Sequence, residues 1–255
     1  MATAVAPTPV HSAVHSAVRP SPPSLAAQVG LEVRKSLSTR SGLAVAGAAV
    51  LLAPAATGVA AAASSEPLDA VVGPLVVTGM LSALVLLSLG VLSTAGEWSH
   101  RTIQTTYLLE PRRGRVLAAK SAAVALLGTV LGAAAAGLGS GVLALAEPSA
   151  SWAGSGRAIA MVAVAGAAFA LVGAGVGAAL GNTNAALTGV YLLELGLVPL
   201  LQVFRPALAD RIDPGNAVLE LAQGDHTGRS VLVLTAWVGV SVVAGAVMTR
   251  RRAVS

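Results

Sequence analysis

The chain has 255 residues, of which 55% are hydrophobic and only 11% charged, with a formal net charge of +5. About a quarter of the residues of a soluble domain are charged, so this balance excludes an ordinary soluble enzyme. Apolar runs of about 20 residues predict a polytopic, all-α integral membrane protein. Cysteine is absent, which removes disulfides and thiolate metal sites.

Residues 1–24 form a Pro/Ser/Ala/Val tail containing the tandem HSAVHSAV and PSPPS. No charged region precedes an apolar core, so the tail is not a secretory signal, and its composition is that of a disordered segment. His11 and His15 belong to the tandem and are not assigned to a metal. From residue 25 to 39 the pattern changes. Leu25, Val29, Val33 and Leu37 recur every four residues, with Gln28, Glu32, Arg34 and Lys35 elsewhere on the wheel. This is an amphipathic helix with Ser24 as N-cap, lying along the membrane surface or packed on another subunit.

Residues 40–255 divide into six spans. The first, Gly42 to Ala62, is the weakest: its Leu and Val residues sum to only about −2 to −4 kcal/mol on insertion scales, opposed by Pro54. The second covers Ala70 to Thr94. The third, Val116 to Ala146, is long enough to tilt or to break near Gly137–Gly141. The fourth covers Ala158 to Leu180, the fifth Ala185 to Phe204 and the sixth Ser230 to Met248. With both termini cytoplasmic, twelve basic residues fall inside: Arg19, Arg34, Lys35, Arg40, Arg101, Arg112, Arg113, Arg115, Lys120 and Arg250 to Arg252. Only Arg157, Arg205, Arg211 and Arg229 fall outside, alongside most of the acids, so this orientation satisfies the positive-inside rule. The same distribution accounts for the net charge without nucleic acid.

The polar stretch from Gly96 to Ser121 interrupts the apolar runs, and residues 96–116 read as a cytoplasmic loop. Ile103, Tyr107 and Leu108 give a short helix an apolar side, and Pro111 ends it at Glu110. Such a helix fits a groove on a partner protein. Two plainer readings stand beside this one. Thr94-x-x-Glu97 fits a capping box, and the arginines serve topology and anionic lipid.

No P-loop, H-E-x-x-H or G-x-S-x-G motif occurs, so no catalytic or metal-binding residue is assigned. Asp210 and Asp213 are read as solvated acids of the outer loop at residues 205–229. Glu194 is different, because an acid near the middle of a span costs roughly 2.5–3.5 kcal/mol. It is either a proton or substrate site, or a protonated group hydrogen-bonded to a neighbouring helix. Gly128/Gly132, Gly137/Gly141 and Gly173/Gly177/Gly181 place small residues on single helix faces for close packing.

Two segments carry a family resemblance. Glu32, Lys35 and Arg40 in LEVRKSLSTR match an E-x-x-K…R pattern before the first span. Glu97-Trp98, Thr102, Pro111-Arg112-Arg113, Arg115 and Lys120 match a pattern after the second. In these residues the chain resembles the permease subunit of type-2 ATP-binding-cassette (ABC) exporters. Arg101 stands where that family often carries a small residue.

The resemblance implies half of a transmembrane dimer, formed with a second copy or another permease chain. It also implies separate ATPase subunits that hold ATP and Mg, with no cofactor in this chain. Glu97, Trp98, Thr102, Pro111, Arg112 and Arg113 would be the coupling surface, Glu32, Lys35 and Arg40 the interfacial helix, and Lys120 the entry to the third span. The loop with Pro206, Pro214 and Gly215 would be partly re-entrant and form an outer gate. Asn182, Asn184 and Glu194 would lie near the pathway of a hydrophobic cargo in a bacterial plasma membrane. The alternatives are a proton-coupled carrier using Glu194 and a non-transporting anchor or immunity protein.

Overall fold

The computed structural model describes residues 23–252, so most of the tail, with His11 and His15, lies outside the described residues. Among them the chain is helical, and its one extended pairing is an isolated bridge between Ala70 and Ser151.

Ser24 accepts from the amide of Ala27 and starts α1 (Leu25–Ser38). Thr39 then caps α2 (Arg40–Ala63) by accepting from Gly42, producing an elbow between the two. Helix α2 runs on through Pro54. After α3 (Val72–Ser99) comes the short α4 (Ile103–Leu109), then the long α5 (Arg113–Ala146) and α6 (Ser155–Leu180). The next stretch is α7 (Thr183–Tyr191), a π-helical turn over Leu192–Leu197 and α8 (Val198–Phe204). Two short helices, α9 (Pro206–Ile212) and α10 (Pro214–Gln223), precede α11 (Thr227–Arg251).

Six of these segments are long and apolar enough to cross a membrane: α2, α3, α5, α6, α7 through α8, and α11. All six spans expected from the sequence are therefore present, and α5 is unbroken at Gly137–Gly141. An even number of crossings brings α1, α4 and the end of α11 to one end of the bundle. This end carries most of the basic residues and is called the basic end below.

Helices α3, α5 and α6 form the centre, while α2, α11 and α7–α8 stand at the periphery with mostly exposed apolar surfaces. Glycines set the central spacing. A Cβ on Gly128 would collide with the carbonyl of Gly166, and one on Gly173 with the carbonyl of Leu87. Gly177 abuts Thr94, whose hydroxyl donates 3.0 Å to the carbonyl of Ala174. Thr94 therefore sits inside α3 and joins it to α6, so the expected capping box with Glu97 is not formed. Gly137 and Gly141 meet nothing within 4 Å and do not mark a packing face.

These two kinds of glycine predict opposite results. Gly128→Leu should separate α5 from α6 and destabilise by about 1–3 kcal/mol or more through overpacking. Gly137→Ala, on an exposed helix face, should be stabilising by roughly 0.5–1 kcal/mol. Thermal unfolding in detergent micelles distinguishes the two.

Candidate functional site

Helix α3 extends five residues beyond the predicted end of the second span, so Glu97 and Trp98 lie on its last turn. The expected loop shrinks to a turn at residues 100–102 and a short irregular link at 110–112, with α4 between them. Glu97 can remain helical at this depth because its charge is met from two other elements. It is 5% exposed, and Lys120, 3% exposed on α5, donates 2.8 Å to its Oε1. Lys35 of α1 donates to the same oxygen, and Thr106 of α4 donates 3.3 Å to Oε2. Lys120 also reaches Glu32 Oε2 at 2.7 Å. Two carboxylates and two ammonium groups from three separate stretches thus form one neutral, hydrogen-bonded cluster. Burial, followed by the charge of Lys120, lowers the pKa of Lys35 from the usual lysine value, and Glu32 works against both.

A second link ties α1 to the exit of α4. Gln28, read from the sequence as part of the polar face, is buried: its Nε2 donates 2.9 Å to Glu110 Oε2 and its Oε1 accepts from Arg115 Nε at 3.2 Å. Glu110 also accepts from the amide of Arg112 at 3.2 Å. The Gln28 hydrogen bond, with smaller help from Arg112 and Arg115, holds the Glu110 carboxyl below its ordinary pKa. A depressed carboxyl stabilises the fold fully above its unfolded value of 4.5, and that contribution is lost as pH falls through the lower folded value. Protection factors for amide exchange across residues 25–38, taken relative to the intrinsic rate at each pH, should therefore fall below pH 4.5, and Glu110→Gln should flatten this dependence.

Helix α4 ends at Leu109 with Glu110 as its cap, so Pro111 terminates it as expected. Its apolar side is not the one read from the sequence. Ile103 is buried and Tyr107 is partly covered, whereas Leu108 and Leu109 are 83% and 81% exposed. Thr102 at the start of α4 and Pro111 and Arg112 after its end are also exposed, and Arg113 turns towards α11. Arg101 has φ 59°, a left-handed conformation in which a side chain is strained and a glycine would not be. Arg40 opens α2 with its side chain exposed.

The pathway candidates separate. Asn182 is the N-cap of α7, accepting 2.9 Å from Ala185, and Asn184 is exposed in the first turn at the basic end. Glu194 lies ten residues further along the chain than Asn184, in the π turn, and the structure does not bring the three together. The π turn has a local cause. Pro199 has no N–H for the carbonyl of Leu195, and the helix widens just before it, with Val198 donating to Leu193. Pro199 was the legible signal for this irregularity, and the sequence reading did not use it.

Glu194 faces a cavity of about 310 Å³ that also meets Met80, Phe169, Gln202, Asp213 and Gly215. The turn between α9 and α10 reaches into the bundle here. Gly215 lies against Met80, eight residues inside α3, which places the tip about 12 Å from that helix's end. Trp237, ten residues inside α11, donates 2.8 Å to the carbonyl of Ile212 and holds the turn in place. Asp213, read from the sequence as solvated, caps α10 by accepting 2.7 Å from Gly215. Among the described residues no group of three or more His, Asp or Glu is arranged to hold a metal.

Compared with known proteins, the chain matches no family model, and no curated protein matches it significantly.

Proposed function

We propose that this chain is the permease subunit of an ATP-driven exporter of the type-2 ABC kind, with the basic end in the cytoplasm of a bacterial cell. The observation that carries this reading is the cluster of Glu32, Lys35, Glu97 and Lys120. These residues belong to two separate patterns of the resemblance, and they meet directly. The cluster fastens α1, α3 and α5 around α4, whose two leucines project outward. A rigidly mounted short helix with an apolar tip suits a force-bearing contact with a separate ATPase. Closure of that ATPase would push α4 and, through the cluster, tilt α3 and α5 together. A second permease chain would cover part of the exposed apolar surface of α2, α7–α8 or α11, and the carboxylate-lined cavity beside Glu194 would lie on the cargo's route.

Purification of the tagged chain from its own membranes under mild detergent and cross-linking tests the reading. A P-loop ATPase is the expected companion, and its absence would remove the proposal.

One observation favours a second reading, a proton-coupled carrier. Glu194 occupies a π turn beside a cavity, and such turns are frequent at functional sites. In that case Glu194→Gln would abolish protonophore-sensitive flux while ATP had no influence on it.

A further inference from the structure

The basic end carries a second set of contacts, which joins Arg252, a residue expected to serve topology alone, to Trp98 and Arg113 of the expected coupling surface. Arg252, the last described residue, donates 2.7 Å from Nη2 to the carbonyl of Ala179 and 3.4 Å from Nη1 to that of Ala178. These carbonyls belong to the last turn of α6, where no intrahelical partner remains, and a cation there also meets the negative end of the helix dipole. The same guanidinium lies 4.9 Å from the centre of the Trp98 ring. Its seat depends on Gly181, which ends α6 at φ 61° and whose missing Cβ would collide with the guanidinium.

Arg113 repeats the arrangement on α11. Its Nη1 donates 3.0 Å to Thr249 and 2.6 Å to the carbonyl of Arg252, and its guanidinium lies 5.1 Å from the Tyr107 ring. Trp98 and Tyr107 meet edge to face at 6.5 Å, so the two arginine sites share one aromatic pair. The chain of contacts runs from α4 through Tyr107 and Arg113 to the end of α11, and on through Arg252 to α6 and Trp98.

We propose that Arg113 and Arg252 form a clasp that makes α4 move together with the ends of α6 and α11. Helix α11 carries the movement further, because Trp237 holds the inserted turn beside the Glu194 cavity. Both arginines are positioning residues. Lysine cannot replace Arg252, because a point charge lacks the planar fork whose two Nη atoms reach separate carbonyls while the guanidinium stacks on the Trp98 ring. The use of the clasp in transmission rests on the exporter reading, whereas the clasp itself does not.

The chain has no cysteine, so labels can be introduced in pairs without removing any native residue. The full chain in lipid nanodiscs would carry spin labels at Thr105 on α4 and Leu180 on α6, both exposed. The unaltered arginines should give a narrow distance distribution. Arg113→Ala and Arg252→Ala should each abolish that narrowness, and Arg252→Lys should not restore it. Arg250→Ala, which removes the same charge from an exposed position on the same helix, should leave it intact. A second pair at Val59 and Leu145, exposed on α2 and α5, should stay unchanged and report that the fold is intact.

Narrow distributions in both alanine variants, or equal broadening in Arg250→Ala, would overturn the clasp. Transmission is read with the co-purified ATPase bound, from labels at Leu195 and Leu208. ATP should shift this distance in the unaltered protein and lose that effect in Arg252→Ala, with hydrolysis retained. An equal shift in Arg252→Ala would overturn the transmission role. If no ATPase co-purifies, the exporter reading fails, and the Thr105–Leu180 pair alone decides the clasp.

Discussion

Lys120→Met is expected to cost about 3–5 kcal/mol, because removing one member of a buried ion pair leaves its partner charged and unmatched. Lys120 is 3% exposed and holds both Glu97 and Glu32, so its loss strips both carboxylates at once. Lys35 offers only partial compensation: it is 48% exposed and shared with solvent. The double variant Lys120→Met, Glu97→Leu should recover part of the loss, since it removes the more deeply buried carboxylate and leaves Glu32 and Lys35 of α1 as opposite charges to each other. Reversible denaturation in detergent micelles measures both. A Lys120→Met protein within about 0.5 kcal/mol of the original would mean that the cluster is not a stabilising element of the native state.

Leu108→Asp with Leu109→Asp should have the opposite character, with little effect on folding and a large one on association. Both side chains are more than 80% exposed, so the fold loses almost no buried contact. If α4 is the ATPase-docking element, two central apolar anchors at about 2 kcal/mol each correspond to roughly a hundred- to a thousandfold weaker binding. The expected result is an unchanged unfolding midpoint and loss of the ATPase from the purified complex. Unchanged capture would reassign the leucines to lipid and remove α4 from the docking surface. The two experiments separate the mounting of α4 from its use.

The six spans and the amphipathic first helix were legible because their signals are local. A backbone in hydrocarbon must satisfy its own hydrogen bonds, and only some 20 consecutive apolar residues in a helix do so cheaply. Ser24 and Pro111 likewise act within a few residues of themselves, and both bound helices as their chemistry predicts. Pro199 was equally local, yet its consequence, a widened turn around Glu194, depends on which carbonyl goes without a donor.

The site required the tertiary structure. Charge at Glu97 reads as a loop in one dimension, but Lys35 lies 62 residues away and Lys120 lies 23 away, and their convergence lets the helix continue through it. Leu108 and Ile103 look equivalent along the chain, and only packing against the bundle decides that one is covered and the other presented. Gly137 repeats the spacing of Gly128, yet just one of them has a helix opposite. Composition alone determined which segments are apolar enough to cross a membrane, because transfer into hydrocarbon is a property of each segment. Which charges are paired and which apolar groups remain free are properties of contacts between segments, and only the fold decided them.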